Sequence, residues 1–193
     1  MDLREKLRSR LSPERFAHSE RVAEEAVSLA EHYGLDTKKA ELAGLLHDCS
    51  RFLDRKGMLA RARELGFDIS ALEEFEPKLL HAKLSAFFCR EEYGVSVPEI
   101  LSAVSKHTLG SVDMSGLDKV VYLADHIESE RDYSGVHRIR ELAYKDMDEA
   151  IICSCASMIS SLLEKGLPVS EEGVRTRNEF LIRKHGQEKE LGK

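Results

Sequence analysis

The sequence predicts a single all-α domain, a helical bundle with one core. Aliphatic residues recur at intervals of three and four in most windows, and Gly and Pro fall between these periodic segments. No convincing strand pattern is present, and no heptad persists long enough to indicate a coiled coil. The 193 residues, 42% of them hydrophobic, also show no repeat and no low-complexity linker. We expect one domain over residues 1–185 and a polar, frayed tail over residues 186–193.

Capping residues, prolines and glycines mark where the expected helices begin and end. Ser12, with Pro13 at the first helical position, opens a helix that Gly34 ends. Asp36 caps a second helix, whose apolar pattern fades into Ser50 and the residue after it. The same signals predict further helices from about Arg55 to Leu65, Pro77 to Gly94, Pro98 to near His107, Leu117 to Glu128, Val136 to Tyr144, Met147 to Glu164 and roughly Glu171 to Lys184.

Charge and hydropathy exclude several classes of function. The 29 basic and 35 acidic residues give a formal net charge of −6, which disfavours long nucleic acids because their binding draws on many basic contacts. A small phosphorylated ligand held by a few local cations remains open. The longest uncharged stretch, Ala150–Leu163, is shorter than a membrane span of roughly 18 to 20 residues. The mixed charges at the start do not resemble a secretory signal, so we expect a cytoplasmic protein that does not bind membranes.

The four cysteines are expected to be reduced thiols that pack in the core. They form no Cys-x-x-Cys pair, and a reducing compartment would keep them free. Cys49 directly follows a His-Asp pair and could therefore lie near a functional site.

Six chemistry-bearing residues are distributed over five predicted helices. Imidazole and carboxylate groups together suit a divalent iron, manganese or zinc ion, and carboxylates also tolerate magnesium. Packed helices can direct such side chains into one central cavity. Adjacent His and Asp side chains leave a helix about 100° apart, so both reach one ion most easily near a helix end. The pattern predicts a central metal site built from His18, His47, Asp48, His81, His107 and Asp125.

The other histidines fit a metal site poorly. His32 lies on nearly the same helical face as His18 but roughly 21 Å further along the helix, so the two cannot share an ion. His126 points about 100° away from Asp125, which places it beside a ligand or in solvent. His137 and His185 are expected on the surface.

The spacing of these residues resembles the HD-domain superfamily of metal-dependent phosphohydrolases. Within it, the chain is most similar to the YqeK-type symmetrical diadenosine tetraphosphate hydrolases. The resemblance rests on His18, Ala43–Asp48, Leu79–His81, Lys106–Thr108 and Ala124–Asp125, with Arg15, Gly110, Glu128, Arg131, Gly135–Val136 and Arg177–Asn178 flanking them. The chain departs from the pattern at Arg51, where Lys is frequent, and at Thr176, where a small residue such as Ala is expected. Arg51 keeps the positive charge and adds a bidentate fork.

The resemblance implies a ligand set for the metal. It places His18, His47, Asp48 and Asp125 around one ion. His81 and His107 either complete a second metal position, with Asp48 bridging, or bind phosphate directly. One or two ions are therefore expected, iron first, with manganese, magnesium or zinc as alternatives.

The resemblance also implies catalytic and substrate-binding roles. In this class the metal lowers the pKa of a bound water, whose hydroxide attacks phosphorus. Asp48 or Asp125 would orient it. The remaining candidates contact the phosphates or the nucleotide and are Arg15, Arg51, His81, Lys106, His107, Thr108, Gly110, Arg131, Arg177 and Asn178, of which Arg51, His81 and His107 also count as catalytic. From the residues alone, each arginine could equally be a solvated charge, and Thr108 and Gly110 could simply end a helix.

The expected reaction is cleavage of diadenosine tetraphosphate at its centre to give two ADP molecules. This substrate and product follow from the resemblance, whereas the residues by themselves indicate a metal-dependent phosphohydrolase. Two alternatives stay open: an HD-type nucleotidase or pyrophosphohydrolase acting on mononucleotides, and a nucleotide-binding regulator without turnover. The sequence also leaves open whether the chain forms a homodimer.

Overall fold

The computed structural model describes residues 2–190 and confirms an all-α fold. Within that range it contains eleven α-helices, one 3₁₀ turn at Pro77–Leu80 and no strand. The helices are α1 (Leu3–Arg10), α2 (Pro13–His32), α3 (Thr37–Leu46), α4 (Arg55–Glu64), α5 (Ala71–Phe75), α6 (His81–Glu91), α7 (Pro98–Lys106), α8 (Gly116–Ile127), α9 (Val136–Ala143), α10 (Met147–Glu164) and α11 (Glu171–Glu190).

Two clusters of buried apolar side chains form the core. The first lies mainly between α3, α4, α6 and α7, and the second between α2 and α8 to α11. Helix α8 faces both, because Val121 packs in the first cluster while Val120 and Leu123 pack in the second. Helices α2 and α3 also contribute to both clusters. These three helices therefore join the two halves, and they carry or adjoin most of the predicted metal ligands.

A glycine allows α2 and α3 to approach closely. A Cβ atom at Gly44 would lie 2.9 Å from the Cα atom of Ala23 and 3.1 Å from the carbonyl oxygen of Val22. Real Cβ atoms essentially never come within 3.0 Å of a backbone atom, so any larger residue would push the helices apart. The contact lies one turn before His47 and sets the distance between the two helices.

The structure contains two helices outside the predicted segments. Asp2 caps the start of α1 and Ser70 caps the start of α5, and each forms a reciprocal capping box with a glutamate three residues later. The helix predicted from Pro77 is also divided, because Pro77–Leu80 is a 3₁₀ turn and α6 begins at His81. A single helix from Pro77 would have placed His81 in its second turn, whereas in the structure His81 is the first residue of α6.

The C-terminal helix is longer than expected. Helix α11 continues to Glu190, beyond the predicted end near Lys184, so residues 186–190 of the predicted tail are helical. Residues 191–193 of that tail lie outside the described residues. None of the helices in the described part of the chain combines the length and apolar character needed to span a membrane.

Candidate metal centre

The fold brings together the six residues predicted as metal ligands. His18 lies in the second turn of α2, His47 directly after α3, His81 at the start of α6, His107 directly after α7 and Asp125 in α8. Asp48 follows His47 at the helix end, as the geometry of adjacent ligands requires. The histidines and Asp48 are buried, and Asp125 is only 15% exposed.

The ligand atoms form two overlapping groups that share His47. The Nε2 atom of His18 lies 3.1 Å from Asp125 Oδ1, a contact without hydrogen-bond geometry. His47 Nε2 lies 3.6 Å from Asp48 Oδ2 and 3.8 Å from Asp125 Oδ1. Ligand atoms within 4.8 Å of one another define one group of His18, His47 and Asp125, and a second of His47, Asp48 and His107.

Asp48 lies between the two halves of the cluster. Its Oδ2 atom faces His18 at 4.0 Å and His47 at 3.6 Å, whereas Oδ1 faces His81 at 3.4 Å and His107 at 3.9 Å. The Nε2 atoms of His81 and His107 are 2.9 Å apart. One carboxylate is thus shared by two sets of imidazoles, an arrangement suited to bridging two ions.

Each imidazole is oriented by a contact through its Nδ1 atom. His47 contacts the carbonyl oxygen of Gly44 at 2.6 Å, His107 that of Val104 at 2.7 Å, and His81 that of Lys78. Each carbonyl lies three residues earlier in the chain. A ring that donates Nδ1–H in this way keeps Nε2 as the lone-pair atom, and such contacts are typical of histidine metal ligands.

The residues present fit a divalent cation. Nε2 of His18, Nε2 of His47 and Oδ1 of Asp48 are buried without a hydrogen-bond partner within residues 2–190. A buried polar atom without a partner costs free energy, and several of them in one cluster are unusual. Cations bound on the two sides of the Asp48 carboxylate would satisfy all three atoms. Nitrogen and carboxylate donors together match iron, manganese or zinc.

Burial and charge set the protonation states that metal ligands need. Burial lowers the pKa of His47 below its usual value, and it lowers those of His81 and His107 to about 4. Burial by itself would raise the pKa of Asp48, but the surrounding imidazoles outweigh it and hold that pKa well below the usual range. Burial would likewise raise the pKa of Asp125, but His18, His47 and Arg131 outweigh burial and lower it. The three imidazoles are therefore neutral and both carboxylates ionised at neutral pH.

Three arginines surround the cluster in different ways. Arg15 Nη1 donates to Asp48 Oδ2 at 2.8 Å. Arg131 donates through Nη2 to Asp125 Oδ1 at 2.5 Å and through Nε to the Asp125 carbonyl at 2.7 Å. The half-buried guanidinium of Arg51 has no hydrogen bond or ion pair with any residue that the structure describes. Burial lowers its pKa, while the charge of Asp48 raises it. Arg51 is thus a cation available for a ligand.

Lys106 and Thr108 lie beside the cluster but differ in their contacts. Lys106 Nζ pairs with Asp113 and Asp118, each at 3.2 Å, so its charge is already compensated. Thr108 Oγ1 lies 3.0 Å from His81 Nε2. The threonine hydroxyl is therefore the neutral donor that reaches the imidazoles.

Gly110 and the start of α11 meet through a threonine. Gly110 has φ of +70°, and a Cβ atom there would lie 2.6 Å from the methyl carbon of Thr176. Thr176 Oγ1 donates to the carbonyl of Leu109 at 3.2 Å. Arg177 donates to its neighbour Asn178 at 2.9 Å, and neither is joined to the histidine cluster by a hydrogen bond or ion pair within residues 2–190. The unexpected threonine thus fills the space that the glycine leaves.

Sequence reasoning did not assign a role to two residues that support His18. Buried Glu128 lies 3.2 Å from His18 Nδ1 and accepts from Arg21 Nε at 2.6 Å. Glu128 follows Asp125 by three residues, and Arg21 follows His18 by three. That spacing, which places side chains on one helix face, is the signal that could have identified them.

The remaining histidines and the cysteines lie outside the ligand groups. His32 packs against Tyr33 and Tyr144, and His126 stacks on Tyr122 with ring centroids 4.4 Å apart. His137 and His185 are exposed. All four cysteines are free; buried Cys49 lies 3.9 Å from Cys89, sulfur to sulfur.

Comparisons with family models, curated proteins and solved structures all identify the same family. The HD domain model matches residues 15–130. The symmetrical bis(5'-nucleosyl)-tetraphosphatase of Halalkalibacterium halodurans is 38% identical over 89% of this chain and 91% of its own length, and that of Bacillus subtilis is 35% identical over 89% and 92%. A crystal structure from Clostridium acetobutylicum, of a predicted HD superfamily hydrolase involved in NAD metabolism, is 30% identical. It has a TM-score of 0.90 and covers 93% of this chain and 95% of that one.

The chain belongs to the HD-domain family. It is a metal-dependent phosphohydrolase, and the buried histidine and aspartate cluster is the site at which the divalent metal of this family fits.

Proposed function

We propose that the protein cleaves dinucleoside tetraphosphates at the centre of the phosphate chain, converting diadenosine tetraphosphate to two ADP molecules. The observation that carries this proposal is the pair of overlapping ligand groups with the unpaired, half-buried Arg51 beside them. A site with bound cations and a free guanidinium is suited to a substrate with several adjacent negative charges. Both relatives described above are named symmetrical bis(5'-nucleosyl)-tetraphosphatases.

The chain's own residues would hold the ion and arrange the reacting groups. His18, His47, Asp48 and Asp125 form the tighter position, and His81 and His107 extend it toward a second ion or a phosphate. A divalent ion, when bound, supplies Lewis acidity that polarises a phosphoryl oxygen and promotes the ionisation of water. We propose iron, with manganese, magnesium or zinc as alternatives.

The phosphates are bound by residues on one side of the cluster. Arg51 supplies a bidentate fork, and the Thr108 hydroxyl supplies a neutral donor beside His81. Arg15 and Arg131 hold Asp48 and Asp125 in place. A phosphate could also recruit part of either guanidinium, since each has further N–H groups.

The cleavage position depends on how much substrate fits before the nucleoside is reached. We propose that one ADP-sized half lies between Arg131 and the Arg177–Asn178 segment, so that attack falls on the second phosphorus from that nucleoside. The same arrangement predicts ADP and ATP from a pentaphosphate. It also predicts that ADP binds as a product inhibitor.

Analysis of early products by ion-exchange chromatography tests the reaction. The protein, loaded anaerobically with Fe(II) and in parallel with Mn(II) or Mg(II), should convert diadenosine tetraphosphate to ADP alone. A chelator should abolish turnover. AMP together with ATP would mean asymmetric attack, turnover of mononucleotides alone would indicate the nucleotidase alternative, and binding without turnover would indicate a regulator. Each of these results would contradict the proposal.

Variants of the ligands test the site. His47→Ala and Asp48→Ala should lose bound metal and turnover together, because both residues belong to the ligand groups. His32→Ala is the matched control, since this histidine packs against tyrosines on another part of α2. Stoichiometric metal with normal activity in either ligand variant would exclude the assignment.

A further inference from the structure

The last turn of α8 carries Asp125, and its carbonyl groups are bound by side chains that follow it in the chain. An α-helix leaves its final carbonyls without partners inside the helix, so they need other donors. Arg131 Nε donates to the carbonyl of Asp125 at 2.7 Å. The Tyr133 hydroxyl donates to the carbonyl of His126 at 3.0 Å. The end of this helix is therefore held by specific side-chain donors.

Arg140, on α9, binds the carbonyls that come next. Its Nε donates to the carbonyl of Ile127 at 2.8 Å, and its Nη2 donates to those of Glu128 at 2.8 Å and Arg131 at 2.7 Å. The C-terminal end of a helix favours a positive charge, because the helix dipole is negative there. The half-buried guanidinium thus binds both ends of the turn at residues 128–131.

The turn held by Arg140 carries two side chains that reach the metal centre. Glu128 contacts His18 Nδ1 at 3.2 Å. Arg131 donates to Asp125 Oδ1 at 2.5 Å. His18 and Asp125 belong to the same ligand group. A shift of the turn would therefore displace the partners of both ligands together.

Helix α9 is itself fixed in the core. Ile139 and Ala143 are buried in the second apolar cluster, to which α2 also contributes. The Tyr33 hydroxyl, directly after α2, donates to the carbonyl of Ala143 at 2.8 Å. Arg140 therefore projects from a support that is tied to the helix carrying His18.

We propose that Arg140 is a positioning residue of the metal centre. By holding residues 128–131, it fixes the orientation of the ligands His18 and Asp125 through the side chains of that turn. A planar guanidinium with five N–H groups binds several carbonyls in fixed directions, whereas an ammonium directs its donors from one point. The proposal concerns metal binding, so it does not depend on which phosphate ester or anhydride the protein cleaves.

Titration of the metal-free protein with Mn(II), with free Mn(II) measured by electron paramagnetic resonance, tests this role without turnover. Arg140→Met keeps the apolar stem but removes every donor, so it should weaken Mn(II) binding by about tenfold, as loss of a partner of a metal ligand typically does. Arg140→Lys keeps the charge and part of the donor capacity, so its loss should be smaller. Arg138→Met is the matched control, since Arg138 is exposed on the same helix. It should leave Mn(II) affinity unchanged.

Two further variants separate positioning from a general effect on stability. Ile139→Val trims the buried neighbour of Arg140 on α9, so it should lower the melting temperature without changing Mn(II) affinity. The second is a double-mutant cycle. In a protein that already carries Glu128→Ala and Arg131→Ala, Arg140→Met should change Mn(II) affinity by less than about twofold, because the side chains through which it acts are absent.

Unchanged Mn(II) affinity in folded Arg140→Met would overturn the proposal. An undiminished loss in the Glu128→Ala, Arg131→Ala background would overturn it as well, and so would an equal loss in Ile139→Val. Thermal melting verifies that each variant is folded. If Arg140→Met does not fold, Arg140→Lys takes its place, and full affinity in that variant then contradicts the proposal. Failure of the unaltered protein to bind Mn(II) would refute the metal centre together with this role, whereas the cleavage products bear on the proposed function alone.

Discussion

At the scale of single residues, Glu128 links His18 to Arg21 and to the backbone after α8. It contacts His18 Nδ1 at 3.2 Å and accepts from the Glu130 amide at 2.8 Å as well as from Arg21. Burial alone would raise its pKa, but these donors outweigh burial and lower it. An ionised carboxylate on Nδ1 orients the ring and makes Nε2 a stronger donor to a metal. Glu128 is therefore a positioning residue for His18.

Glu128→Ala should reduce metal affinity by about 10- to 100-fold, measured by competition with a chelator. Glu128→Gln keeps an oxygen that can accept from His18 Nδ1, so it should recover part of the loss. Glu25→Ala is the control: Glu25 also lies half-buried on α2, but it bonds Tyr144 at 2.8 Å, away from the cluster. Wild-type metal affinity in Glu128→Ala would show that His18 does not depend on this contact.

The residues of the candidate metal site could be selected from the sequence because each carries its chemistry in its own side chain, and the structure brings the six together. His47 and Asp48 at a fading helix end, with histidines on other helices, sufficed to indicate a metal site, and the resemblance supplied the ligand grouping. The partners of the arginines were not predictable. Whether Arg15 binds Asp48 while Arg51 stays unpaired depends on tertiary packing, which charge and spacing do not encode.

At the scale of elements, the contact between α2 and α3 sets the separation of His18 from His47. Gly44→Ala would place a methyl group 2.9 Å from the Ala23 backbone, and overpacking of this kind typically costs about 1 to 3 kcal/mol. We expect a lower free energy of unfolding in urea and weaker metal binding, because the two ligands move apart. Gly186→Ala is the control, since a Cβ atom there meets nothing within 4 Å. Unchanged stability and metal affinity in Gly44→Ala would contradict this account.

Most helices were predictable because capping residues, prolines and glycines mark the ends of segments with a strong apolar periodicity. The helices that the sequence did not predict correctly differ from the prediction for local reasons. Helices α1 and α5 are short and bury few residues, so their apolar periodicity is weak, although a capping box begins each. Helix α6 begins at His81 and not at the predicted Pro77. The Lys78 carbonyl accepts from the His81 side chain, and the preceding turn is 3₁₀. A side chain that competes for a backbone carbonyl leaves little trace in hydrophobic periodicity.

At the scale of the whole molecule, the candidate metal centre lies where two halves of the core meet. Helices α2, α3 and α8 contribute to both apolar clusters and carry or adjoin His18, His47 and Asp125. Buried neutral imidazoles and ionised carboxylates at this junction couple folding to pH. Metal binding also depends on pH, since protons and cations compete for the same ligand atoms.

The metal-free protein should lose stability as pH falls from about 7 to 4.5. His81 and His107 have pKa values of about 4 in the folded protein, against 6.5 for an ordinary histidine, so only the unfolded chain gains these protons over that interval. The difference corresponds to roughly 3 kcal/mol of unfolding free energy per histidine at pH values below both pKa values. Asp48 and Asp125, whose pKa values are also lowered, continue the loss below about pH 4.

Urea denaturation at several pH values, with chelator and with metal, measures this dependence. Bound metal should raise the unfolding free energy at pH 7 and should be released as pH falls, because protonated imidazole cannot ligate. The low pKa values imply that release occurs well below the ordinary histidine range, so metal should persist at pH 6. His107→Phe should flatten the pH dependence of the metal-free protein, whereas the exposed His137→Phe should not. An unfolding free energy that stays constant between pH 7 and 4.5 without metal would mean that the imidazoles are not buried as neutral groups.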